Sequence, residues 1–330
     1  MATTTHIYSL NDAHYKMVAG NWAGTFSYGN AWFSGGYLTT TERLIFASDT
    51  STAVIRGPFA VKKYYGGAHG NITDGWYHTG GNPSNHTLTC RIDRIIFASD
   101  ISTAVAKGPL SKSRHYTAAH GNTTDAWFAA GSPGPGPVST IDRIIFATDS
   151  STALAKGPLS SAVYNPGAHG NTTDGWFSGG YVSGFAPSAL GGRSTVQRVI
   201  FASDTSTAVV KGPLSEGRGY LTAHGNTTDG WYGCGFKGGL DPRISRIDRI
   251  IFASDTSTAV TKGPLSVARY GAGAGGNTTD GWYAGGYVGP GPTPAGIKFS
   301  SFDRVIFASD TSTVIVRGKL EFGKEGLAAN

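Results

Sequence analysis

Nearly the same wording occurs six times along this chain. Tryptophans at Trp32, Trp76, Trp127, Trp176, Trp231 and Trp282 are separated by steps of 44 to 55 residues. The aspartate of the word FASD or FATD keeps the same cadence at Asp49, Asp100, Asp149, Asp204, Asp255 and Asp310. This period is the strongest constraint on the fold, because a unit that cannot bury its own apolar face must stack on a neighbour. The approximate units are 7–57, 58–108, 109–157, 158–212, 213–263 and 264–318, with a tail at 319–330. A prior of about 100–200 residues per domain would divide the chain in two. The repeat overrides it, and residues 1–330 read as one domain.

Within 264–318, four β-prone runs are separated by turn signals. ARYGAGA (268–274) leads through GGNTTDG to WYAGGYV (282–288), and a Gly/Pro-rich loop of variable length follows. FDRVIFAS (302–309) has apolar residues of both parities, the mark of a strand covered on both faces. TVIVRG (313–318) comes after SDTS, where the aspartate is expected to accept bonds from backbone amides two residues on. Glycine at 49 of 330 residues suits a chain of tight turns, and no stretch carries a capped helical period. Six units of about 50 residues, each worth four antiparallel strands, predict an all-β, six-bladed β-propeller.

The order GPLSVARY (263–270), YAGGY (283–287), FDRVIFASDTST (302–313) resembles kelch-type propeller repeats, although the tryptophan usual in the strand after the glycine pair is absent. The wording of DRIIFASDTSTAVTKGPLSVARY (248–270) is similar to repeats of virion structural proteins of tailed phages of cyanobacteria and marine bacteria. That resemblance implies a non-enzymatic structural and interaction protein of the virion, tail- or capsid-associated, with host attachment as one role. Its implied partners are other virion proteins and a host cell-surface glycan. Two other classes stand beside it: a carbohydrate-binding propeller, and a kelch-type metal oxidase using a unique Tyr/His cluster in the channel.

The first unit is degenerate, with SLNDAHYKMVAGN (9–21) standing where PLSVARYGAGAGGN stands later. Ring closure is expected from residues 3–9, acting as an extra outer strand beside the sixth unit, in preference to a clasp by the tail 319–330.

The phrase AHGNTTDGWFSGGY (168–181) gathers an imidazole, an amide, a carboxylate and an indole as an active site would, yet it recurs in five units. A catalytic centre is built once, so its repetition points to structure. His69, His120, His169 and His224 share one repeat position, with Ala19 and Gly275 at the two others. Lining a channel, four imidazoles could meet a ligand; alternatively each bonds to an adjacent turn, and no metal or other cofactor is expected. Asp74, Asp125, Asp174, Asp229 and Asp280 are expected in hairpin turns needing positive φ. Arg43, Arg94, Arg143, Arg198, Arg249 and Arg304 are expected to make blade-stapling ion pairs. The cations before glycine, Arg56, Lys107, Lys156, Lys211, Lys262 and Arg317, read as edge-strand guards, or as a ring that meets phosphate or anionic glycan.

No Walker loop, HExxH, CxxC pair or GxSxG elbow occurs, and no serine has a unique His/Asp setting. Recognition is expected from the loops after the glycine pair, where Phe185, Arg193, Phe236, Lys237, Arg243, Lys298 and Phe299 are the candidate anchors. The net charge of +6 is spread through the repeats, which argues against a nucleic-acid partner. No signal peptide and no long apolar run are read in the sequence, so insertion in a membrane is not expected, and the resemblance implies a protein made in the host cytoplasm and carried in the virion.

Overall fold

The computed structural model describes residues 29–82, 87–134, 136–182, 191–238, 243–289 and 296–330. These form six four-stranded antiparallel sheets, the blades of a β-propeller. The sixth blade runs outward from Gly273–Gly276 through Asp280–Ala284 and Ser301–Ile306 to Ile315–Lys319. The only helical turns among the described residues are six short 3-10 turns, each formed by the FAS or FAT of one unit.

The inner strand begins later than ARYGAGA implies, because Gly271 adopts φ 68° and breaks the run. The second strand starts at Asp280 and stops before Gly285 and Gly286, whose φ values of 65° and 101° turn the chain out of the sheet. Only glycine holds both positions without strain. The third strand has buried residues on both of its faces, as its sequence implies.

Among the described residues the core is divided among the blade junctions. Apolar side chains fill the wedges between blades, so that Trp231 and Ile247 of the fifth blade pack with Tyr283, Val305 and Phe307 of the sixth. Each blade is thus covered on both faces by its neighbours, which is why it needs the ring.

Closure differs from expectation. The innermost strand of the first blade is Leu327–Ala329, pairing with Asn30–Gly35 in the register Phe33↔Ala329 and Gly35↔Leu327. Residues 3–9 and 9–21 lie outside the described residues, and the inner slot is filled by the tail. The reason is legible afterwards: Leu320, Lys324 and Gly326 stand where Leu265, Arg269 and Gly271 stand in the sixth blade, so the tail is the missing start of the first unit. Trp32 and Asn330 exchange backbone bonds of 2.9 and 3.1 Å beside it.

Candidate functional site: blade seams, axial channel and loop-bearing face

Each FASD aspartate fastens two blades. Asp255 Oδ2 of the fifth blade accepts the indole N–H of Trp176 at 2.8 Å and an Nη1–H of Arg198 at 3.5 Å. Its Oδ1 faces Lys211 Nζ at 3.1 Å, and its carbonyl accepts the Gly212 N–H at 2.7 Å. All four donors belong to the fourth blade. Phe252, in the same turn as Asp255, stacks on Trp176 with centroids 3.9 Å apart. The arrangement recurs around the ring, ending with Asp49, which takes Trp282, Arg304 and Arg317 of the sixth blade.

The strand-three arginines staple blades as expected, and Arg198 Nε also reaches Asp174 of its own blade at 2.9 Å. Three expectations need correcting. The outer-strand cations neither guard an edge nor form a free cationic ring, because each turns into the seam to pair with the next blade's aspartate. The FASD aspartate does not cap its own turn, which is closed by bonds such as Ser51 N–H to the Ser48 carbonyl. The Asn-x-Thr-Asp turns also lack positive φ. Asn171 Oδ1 instead accepts the amide hydrogens of Thr173 and Asp174, each at 2.9 Å.

Sequence reasoning missed a second set of ion pairs. Arg114, Arg218 and Arg269 are buried beside Asp142, Asp248 and Asp303 at 2.9, 3.0 and 3.0 Å, and Lys324 meets Glu42 at 2.6 Å. In the fourth blade Val163 and Gln197 occupy these two positions, so cation and anion are lost together. That paired loss was the signal available in the sequence. The second blade is a variant: Lys63 Nζ lies 3.1 Å from the Phe59 ring centroid, while Asp93 bonds to Arg91 at 2.7 Å. Burial drives the Lys63 ammonium well below its ordinary pKa, and Asp93 only partly opposes this.

The inner strands surround an axial cavity of about 320 Å³. His69, His120, His169 and His224 do converge there, with consecutive ring centroids 5.1, 5.2 and 5.3 Å apart. Each also bonds through Nε2 to a turn carbonyl of the next blade, His169 to Asn226 at 3.3 Å, so the rings both line the channel and tie neighbouring blades together. A carbonyl only accepts, so Nε2 carries the proton in this arrangement. Burial pushes His69 and His224 down to about 4 and His169 to about 3, leaving the rings neutral near pH 7. Among the described residues no group of three or more His, Cys, Asp or Glu is placed to hold a metal ion. At the sixth and first positions of the ring stand Gly275 and Asn330; Ala19 lies outside the described residues.

At the strand-start end, Tyr65, Tyr116, Asn165, Tyr220, Gly271 and Gly326 share one repeat position and all have φ between 52° and 68°. Each backbone N–H donates to the carbonyl of its neighbour: Tyr116 to Tyr65, Asn165 to Tyr116, Tyr220 to Asn165, Gly271 to Tyr220, Gly326 to Gly271, and Tyr65 to Gly326. Six hydrogen bonds of 2.6 to 3.1 Å thereby close a circle around the axis. The left-handed backbone is unfavourable for tyrosine, and this circle holds it there. Tyr65, Tyr116 and Tyr220 converge with centroids 4.7 to 5.8 Å apart, and Tyr65 and Tyr220 line the cavity at that end.

The loops after the glycine pair emerge at this same end, together with the connections from each outer strand to the next inner strand. Phe236 forms backbone bridges with both Gly219 and Arg243, and its ring lies 5.3 Å from Tyr270. Lys298 Nζ sits 4.6 Å from the Tyr37 centroid and 3.4 Å from Glu325. The Arg193 amide bonds to Gly180, and the Lys237 carbonyl accepts from Gly192, joining two loops. Phe299 is half-buried and bonds through its amide to Gly286. Phe185 lies outside the described residues. The structure therefore brings the other six proposed anchors to one face, around a tyrosine-rich centre that the repeat alignment alone did not single out.

No known family's sequence profile matches this chain, and no curated protein matches it. The solved structure of YjhT superposes with a TM-score of 0.64, covering 81% of this chain and 87% of that one at 10% identity. At that identity the likeness is one of fold alone.

Proposed function

We propose that this propeller is a non-enzymatic structural and interaction protein of a phage virion, docking through its loop-bearing face to other virion proteins or to the host surface. The observation that carries this reading is the contrast between the two ends of the ring. At one end the Asn-x-Thr-Asp turns are nearly identical copies, and their carboxylates are held by the threonine and the strand-three arginine of the same blade. At the other end the loops differ in length and wording and bring aromatic and basic side chains together on a rigid base. The repeated polar residues that resemble catalytic equipment have structural partners, which favours binding over chemistry. The wording shared with phage virion repeats supplies the setting.

Mass spectrometry of purified particles from the phage that encodes the chain tests the proposal. A virion component appears at fixed stoichiometry with the other structural proteins. Its absence from intact particles, with the protein abundant in the infected lysate, would reject the virion role.

A further inference from the structure

We infer that the loop-bearing face is a binding surface for an acidic polysaccharide, recognised through basic groups set among tyrosines. This deepens the docking role proposed above and rests on that face being the one used. The first support is where the charge falls. The net charge of +6 looks dispersed in sequence, yet the repeat-borne charges largely neutralise one another in the structure. The FASD and turn aspartates face strand-three arginines and outer-strand cations, and the buried arginines ahead of the inner strands, such as Arg218 and Arg269, face Asp248 and Asp303. What remains lies at the loop end. Lys62, Lys112 and Arg193 are exposed there with no carboxylate partner among the described residues, Lys237 and Arg246 share Glu216, and Lys298 faces Glu325.

The second support is what lies between these charges. Tyr37 stacks on Tyr64 at 5.1 Å beneath Lys298, and Phe236 meets Tyr270 edge-on next to Arg243. Aromatic rings offer a surface to the C–H faces of sugars, and nearby cations pair with their carboxylates or sulfates. One feature stands against nucleic acid: the tyrosines at the centre meet one another tilted and edge-on, which leaves few parallel faces for stacked bases.

The test uses the whole chain and three probes: polygalacturonate, neutral dextran and single-stranded DNA. Binding to polygalacturonate is expected, weakening steeply as salt rises, with none to dextran. Arg193→Thr with Lys112→Thr should weaken it about tenfold, whereas Thr172→Glu with Thr227→Glu, the same change of net charge at the opposite end, should leave it within about twofold. Circular dichroism confirms that each variant is folded. Equal losses from both variants, equal binding to dextran, no binding to polygalacturonate, or tighter binding to DNA would each overturn the inference. Particle incorporation is scored separately, so a virion protein that ignores polygalacturonate is distinguishable from a binder that is never packaged.

Discussion

Trp282 donates its indole N–H to Asp49 at 2.9 Å across 233 positions of sequence, and so repeats at the closing seam the bond that Trp176 makes to Asp255. The ring is therefore fastened at its seam by the same side-chain chemistry as at its other junctions. Asp49→Ala would strand the Trp282 donor and leave Arg304 and Arg317 without that carboxylate. Removing one partner of a buried charge network typically costs about 3–5 kcal/mol. Asp49→Ala and Asp204→Ala should lower the urea midpoint by comparable amounts, and a change below about 1 kcal/mol in either would show that the aspartate does not fasten the seam.

The tail makes its own prediction. A chain ending at Lys319 loses the strand Leu327–Ala329 and the buried side chain of Leu320, leaving Phe33 and Leu44 uncovered. Hydrogen exchange should then accelerate in residues 30–35 and 301–306, the two sides of the seam, before it does so in residues 167–178 on the far side. Uniform exchange across all blades would contradict closure by the tail.

The fourth blade offers a test of the buried pairs. Val163→Arg alone puts a guanidinium where no carboxylate waits, and should destabilise the fold by several kcal/mol. Adding Gln197→Asp recreates the arrangement of Arg218 and Asp248. A double-mutant cycle read by chemical denaturation should return a favourable coupling above about 2 kcal/mol. Simple additivity would mean that the two positions do not communicate.

Acid should weaken the ring before it unfolds it. In the unfolded chain the four channel imidazoles protonate near pH 6.5, whereas burial holds His69 and His224 near 4 and His169 near 3 in the fold. The unfolded chain thus binds more protons throughout that interval, so the stability present above pH 6.5 is lost as pH falls towards 4. Allowing for water in the channel, the loss is about 1 kcal/mol for each of His69, His169 and His224 by pH 5. Urea midpoints at pH 7 and pH 5 should differ accordingly, and replacing all four histidines by glutamine should flatten the difference. An unchanged slope would place the acid sensitivity elsewhere, at His78 or His115, which burial also depresses.

The sequence alone determined the number of blades, the four-strand unit and the stapling role of the strand-three arginines, because period and local alternation are written into neighbouring residues. It also singled out the loops after the glycine pair, since departures from a repeat are visible without coordinates. It could not say which carboxylate each cation meets: Lys211 and Asp255 are adjacent only after one blade is laid on the next. Closure by Leu327–Ala329, the hydrogen-bonded circle from Tyr65 to Gly326 and the gathering of charge on one face were likewise decided by tertiary structure. Each depends on curvature bringing distant segments to a common axis, and curvature arises from how whole blades pack.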